Sequence, residues 1–192
     1  MVEKSKRDRE TEECTRAVEG LPKNVAGLVR RGAAWLDKGE FDDAVEAFSR
    51  VIEAAPNYRG LYYARGRAWV GKGRLDRALE DYNTAIAIDP SYTAAYCARG
   101  RVHAMTGAID QAIQDYSRAI ELDSGCTPAY LARGRAWVEK RDFGQAIEDF
   151  SRAIERNPHF RGFFFARAYA REAAGDHAGA EADLAKAREL RL

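Results

Sequence analysis

The chain has little of what would mark several large classes of protein. Its 192 residues carry three cysteines, Cys14, Cys97 and Cys126, far apart and without a CxxC pair. An odd, scattered set of thiols argues against a disulfide framework and fits a reducing compartment, read here as cytoplasmic. No apolar run approaches the roughly 18 residues of a membrane helix. The first ten residues are charged nearly throughout, unlike a secretory signal. Net charge is close to absent as well: 31 basic and 30 acidic side chains leave +1. That removes the bulk attraction on which nucleic-acid and membrane-surface proteins rely. Five prolines and sixteen glycines are too few for a collagen-like or long disordered tract.

What is present is periodic. Pro22, Pro56, Pro90 and Pro158 are separated by 34, 34 and 68 residues, so one copy of a 34-residue unit lacks its proline. Ser124 and Gly125 stand at the missing place, where a glycine just past a helix end would supply a left-handed turn instead. Other columns keep the register. Gly32, Gly66, Gly100, Gly134 and Ala168 form one, and Trp35, Trp69, His103, Trp137 and Arg171 a second. Ala44, Ala78, Ala112, Ala146 and Ala180 form a third without exception. Phe48, Tyr82, Tyr116, Phe150 and Leu184 form a fourth, and Val51, Ala85, Ala119, Ala153 and Ala187 a fifth.

Each unit reads as two helices. Tyr62, Gly66 and Trp69 are spaced by four and three, one face of a helix, and Ala78, Tyr82 and Ala85 repeat that spacing. Gly71-Lys72-Gly73 interrupts the pattern, and Asp76, matched by Asp42 and Asp110, stands where a cap is expected. Neither helix alone buries its apolar stripe; stacking successive pairs joins the stripes into one core.

This order of aromatic, glycine, alanine and proline positions resembles the tetratricopeptide repeat. The resemblance implies an all-α, right-handed α-α superhelix, a solenoid of five helix-turn-helix units. They span 25–58, 59–92, 93–126, 127–160 and 161–192, after an N-terminal arm and capping helix in 1–24. The cap is read from residues 9–21, which resemble the second helix of an earlier unit. The last unit departs from the pattern at Arg171 and Leu184, as terminal units do. Its open end is expected to be a solvated terminus or a self-association surface.

Two arginine columns stand out. Arg31, Arg65, Arg99, Arg133 and Arg167 precede the small-residue column, where family members often carry an apolar side chain. Inside a packed stripe a guanidinium needs a carboxylate, and Asp81, Asp115, Asp149 and Asp183 form a candidate column. Pairing within units leaves Arg31 alone; pairing between units, with Glu13 serving Arg31, leaves Arg65 alone. The spacing leaves both open. Such bidentate pairs would fix stacking register rather than bind ligand.

The second column is Ala33, Arg67, Arg101, Arg135 and Tyr169, with Val29, Tyr63, Cys97, Leu131 and Phe165 four residues before. By resemblance these positions line a concave groove. Arg67, Arg101 and Arg135, with Tyr63, Phe165 and Tyr169 as flat apolar surface, are therefore the candidate peptide-binding residues. Their chemistry suits an acidic partner segment with an aromatic or aliphatic anchor. Arg135 has Glu139 one turn on as a neutralising neighbour. Chaperone adaptors of this family clamp a terminal carboxylate with lysine and asparagine in these columns. Here the lysine place holds Tyr63, Cys97 or Leu131, so that ligand is not implied.

No catalytic constellation emerges. Gly66 to Gly73 nearly spells a phosphate-binding loop, but Gly73 replaces the Ser or Thr that would hold magnesium, and no strand precedes it. His103, His159 and His177 are dispersed, so no metal site is expected; His103 reads as a core filler in a tryptophan column. The expectation is a non-catalytic scaffold, without cofactor, that binds a protein or peptide partner. Homo-oligomerisation through the last repeat is the alternative, and RNA binding is disfavoured by the near-neutral charge.

Overall fold

The computed structural model describes residues 23–190, and side chains from Ala26 to Leu190. The capping helix expected over 9–21 lies outside the described residues. Within them the chain is ten α-helices and no strand: α1 (Lys23–Lys38), α2 (Phe41–Ala54), α3 (Arg59–Gly71), α4 (Leu75–Ile88), α5 (Thr93–Met105), α6 (Ile109–Leu122), α7 (Thr127–Glu139), α8 (Phe143–Arg156), α9 (Arg161–Ala173) and α10 (His177–Glu189). Two compact units divide it, the first ending at Val102 and the second beginning at His103.

In the first unit α1 packs on α2, α2 on α3 and α3 on α4. Val29, Phe48, Val51 and Leu61 are fully buried in one cluster with Ala44, Ala64 and Ala68. Tyr63, Tyr82, Tyr92, Ala95, Ala98 and Val102 form the next, together with Ala78 and Ala85. The second unit repeats the scheme through α6, α7, α8, α9 and α10. Tyr130, Ala153 and Phe163 form one cluster there, and Ala146, Phe150 and Ala170 another.

The small-residue column does what its spacing implies. A Cβ on Gly66 would come within 2.6 Å of Tyr82 Cε1, and one on Gly134 within 2.6 Å of Phe150 Cε1. The ring of the second helix thus lies directly on the backbone of the first. Between paired helices the backbone reverses through a left-handed residue: Gly39 (φ 81), Gly73 (φ 73), Gly107 (φ 78), Arg141 (φ 62) and Gly175 (φ 86). In the second pair Gly73 N–H donates to Val70 O at 3.0 Å and Arg74 N–H to Trp69 O at 2.9 Å. This is the Schellman arrangement, which satisfies the last carbonyls of the helix and turns the chain back on itself. Glycine tolerates that conformation; Arg141 holds it against its own Cβ.

Two expectations about the turns are corrected. Asp42, Asp76 and Asp110 are not caps but second residues of α2, α4 and α6, in the first turn. There they complement the helix dipole. The side-chain caps that form belong to Asp142, accepting from Gln145 N–H at 3.2 Å, and Asp176, accepting from Gly179 N–H at 2.9 Å. Gly125, for its part, is not left-handed. The Asp123 carboxylate shapes that turn by accepting from Gly125 N–H at 2.8 Å, as Asp89 does with Ser91 N–H at 2.9 Å beside Pro90. The same Asx turn forms with or without the proline, so the glycine needs no unusual φ.

Candidate functional site

The two arginine columns lie on the first helix of each pair, two residues apart and so on different faces. Three members of the first are locked to carboxylates. Arg65 donates from Nε to Asp81 Oδ2 at 2.9 Å and from Nη2 to Oδ1 at 2.7 Å. Arg133 grips Asp149, and Arg167 grips Asp183, in the same two-pronged way. Pairing within repeats is therefore what these three sites adopt. Each arginine also reaches the preceding repeat: Arg65 donates to Ser49 Oγ at 3.0 Å, Arg133 to Ser117 Oγ at 2.9 Å and Arg167 to Ser151 Oγ at 2.9 Å. Arg99 donates to Asn83 Oδ1, the matching position, at 2.7 Å. Arg31, whose repeat has Ala47 in the acidic place, is exposed rather than packed in the stripe.

The electrostatics of these pairs follow from their burial. Hydrogen bonds donated to the Asp81 and Asp149 carboxylates hold Arg65 and Arg133 above the ordinary guanidinium value. Burial pushes the Asp81 and Asp149 carboxyls up, against the pull of their arginines. In the third repeat the Trp place is His103, with Nε2 3.8 Å from Asp115 Oδ2. In the fifth it is Arg171, which joins Arg167 on Asp183 at 2.9 Å. A cleft of about 310 Å³ beside this column is lined by Arg65, Trp69, Arg74, Arg77, Glu80 and Asp81. Its charges are matched internally, with Arg74 on Asp76 and Arg77 on Glu80.

The second column is arranged differently. In the first unit α3 carries Tyr63 and Arg67, and α5 carries Cys97 and Arg101. Arg101 is exposed, and no carboxylate lies within ion-pair distance of it among the described residues. Arg67 is half-buried. Tyr63 is not the open surface its position suggested: it is 7% exposed, with ring centroids 6.0 Å from Tyr82 and 5.5 Å from Tyr92. Between the two arginines lies a residue the sequence reading had assigned only to packing. Burial pushes the Tyr82 phenol up to about 12, opposed first by the charge of Arg101 and then by that of Arg67. The oxygen is buried and has no hydrogen-bond partner among the described residues.

The second unit holds the remaining candidates. Arg135 on α7 is exposed, and no ion pair with Glu139 forms among the described residues. On α9, Phe165 and Tyr169 are one turn apart, 44% and 63% exposed, with the Arg161 guanidinium 6.0 Å from the Phe165 ring centre. Phe165 occupies the same column as buried Tyr63. The difference is that α9 belongs to the last helix pair among the described residues, so no following ring such as Tyr92 covers it.

The near-match to a phosphate loop lies in α3 and its turn, with Gly66 under the Tyr82 ring. Among the described residues no three His, Cys, Asp or Glu side chains group to hold a metal, and no helix is long and apolar enough to cross a membrane.

The sequence matches a family model described as tetratricopeptide repeat over residues 14–59, 29–93, 63–125 and 131–191. No curated protein matches it. Among solved structures it is similar to MamA, at 26% identity and TM-score 0.77, covering 83% of this chain and 93% of that one. A MamA from Desulfovibrio magneticus RS-1 gives TM-score 0.81 at 17% identity, covering 88% and 96%. YrrB, described as a TPR protein with an unusual peptide-binding site, gives TM-score 0.73 at 18% identity, covering 94% and 93%.

Proposed function

The chain belongs to the tetratricopeptide repeat family, a family of interaction modules, and we propose that it holds an extended acidic segment of a partner protein. In the first unit that segment lies along the first-helix face that presents Arg67 and Arg101. One observation carries the reading: Arg65, Arg133 and Arg167 of the neighbouring column close on their own carboxylates, whereas Arg101 is exposed with no such partner among the described residues. A guanidinium with open donors on a structured face favours a carboxylate that can accept two parallel hydrogen bonds. YrrB's peptide-binding description is in keeping with a peptide as the ligand class. In the second unit the exposed pair Phe165 and Tyr169 offers rigid apolar contact of the kind that anchors a bound segment. No step of bond making is involved, and specificity resides in which side chains occupy the column.

The test is binding of a fluorescein-labelled, C-terminally amidated peptide of alternating Glu and Leu, read by anisotropy. The double variant Arg67→Glu, Arg101→Glu should lose capture while keeping its helical circular dichroism. Equal capture by that variant defeats the proposal.

A further inference from the structure

The ring that packs on the small residue of the first helix is phenylalanine in two repeats, Phe48 and Phe150, each 1% exposed or less. Tyr82 fills the same place, and its ring is equally buried. Packing therefore does not require its hydroxyl. The oxygen is closed off from water without a hydrogen-bond partner among the described residues, an arrangement unfavourable in itself and rare in folded proteins.

The surroundings say what would complete it. The Tyr82 ring rests against Gly66, and its phenol feels the charge of Arg101 on α5 and of Arg67 on α3. Both neighbours are guanidinium groups, which donate and never accept. The phenol proton consequently lacks an acceptor, and two cations already favour an anionic one. Arg101 is exposed, and its long side chain can turn toward a ligand at small conformational expense.

We infer that Tyr82 is a specificity-determining residue, its hydroxyl donating to the same ligand carboxylate that Arg101 grips. The inference rests on the peptide-binding reading of this face. A carboxylate is flat and offers two oxygens, one for each donor, which suits a recessed hydroxyl better than a tetrahedral phosphoryl group does. The occupant is an internal Asp or Glu side chain of the extended segment proposed for this face.

The experiment is Tyr82→Phe, which keeps the ring that two other repeats already use. The probes are the amidated Glu/Leu peptide and matched peptides with Gln or phosphoserine in place of Glu, plus the Gln peptide with a free C-terminus. The expected result is Glu-peptide affinity weakened about tenfold or more, the loss of one hydrogen bond to a charged group. Gln-peptide binding and the unfolding midpoint should not fall. If the wild type does not prefer Glu to Gln, the peptide reading and this one fail together. If the double Glu variant releases the Glu peptide while Tyr82→Phe holds it as tightly as wild type, this inference alone is overturned. A stronger Tyr82-dependent response to phosphoserine, or to the free C-terminus, overturns the internal-carboxylate assignment.

Discussion

Arg133 and Asp149 are joined by two parallel hydrogen bonds of 2.9 and 2.7 Å across one helix pair. The carboxylate is almost wholly buried and the guanidinium keeps 22% of its side-chain surface open. Removing one partner strands the other, which costs far more than the intact pair contributes. Arg133→Met is expected to lower unfolding free energy by roughly 2–4 kcal/mol, the low end reflecting the partial exposure. Adding Asp149→Leu should recover most of the loss. Urea denaturation followed by circular dichroism checks both; a double variant no better than the single one refutes the account.

Glycine substitutions separate contact from propensity. At Gly66 and Gly134 a new Cβ collides with a buried ring, and alanine there should destabilise by about 1–3 kcal/mol through overpacking. At Gly60, also in α3, a Cβ meets nothing within 4 Å. Alanine there should stabilise by up to about 1 kcal/mol through reduced backbone entropy of the unfolded chain. The sign of the melting shift distinguishes the two cases.

Arg141 sits at φ 62 where four other repeats place glycine. Arg141→Gly should therefore raise stability by about 1 kcal/mol, the strain a Cβ brings to the left-handed region. A fall in melting temperature would mean that the Arg141 side chain stabilises the turn by more than its backbone strain.

Tyr82 gives a prediction in pH. Its folded phenol is pushed by burial up to about 12 from the ordinary 10. A group with a raised folded pKa contributes fully below its unfolded value and loses that contribution as pH rises through the folded one. The difference between alkaline absorbance titrations of wild type and Tyr82→Phe should isolate one phenol with a midpoint near about 12. Stability should decline above pH 10 more steeply in wild type than in the variant. A difference midpoint at the ordinary value contradicts the burial of this hydroxyl.

Phe165 and Tyr169 are too exposed to matter to the core. Phe165→Ser with Tyr169→Ser should leave unfolding free energy within about 0.5 kcal/mol of wild type for each site. Thermal melts of the double variant are the check.

The 34-residue period made the helix pairs and the ring-on-glycine contact readable, because both depend on spacing alone. Pairing of Arg133 with Asp149 rather than Asp115 is not readable from spacing, since carboxylates in the same and the preceding repeat share the column. The caps were assigned to Asp42, Asp76 and Asp110 because aspartate recurs there, whereas the true cap position holds Glu40, Arg74 and Ala108 in the first three pairs. Arg141 disguised the left-handed column by breaking the run of glycines. Tyr63 and Phe165 share a column yet differ in exposure, because Tyr92 at the start of the next pair adds to the cover that Tyr63 has from Tyr82. The signal that would have found Tyr82 is tyrosine where Phe48 and Phe150 suffice.

The serine hydroxyls that receive Arg65, Arg133 and Arg167 tie each hairpin to its predecessor through the very residue that closes the hairpin itself. A segment excised to begin at Arg161 would keep the Arg167–Asp183 lock but lose the hydroxyl of Ser151. Truncation thus separates attachment to the neighbour from internal closure, and an array shortened to begin at α3, α7 or α9 carries at its leading edge one guanidinium donor without its hydroxyl.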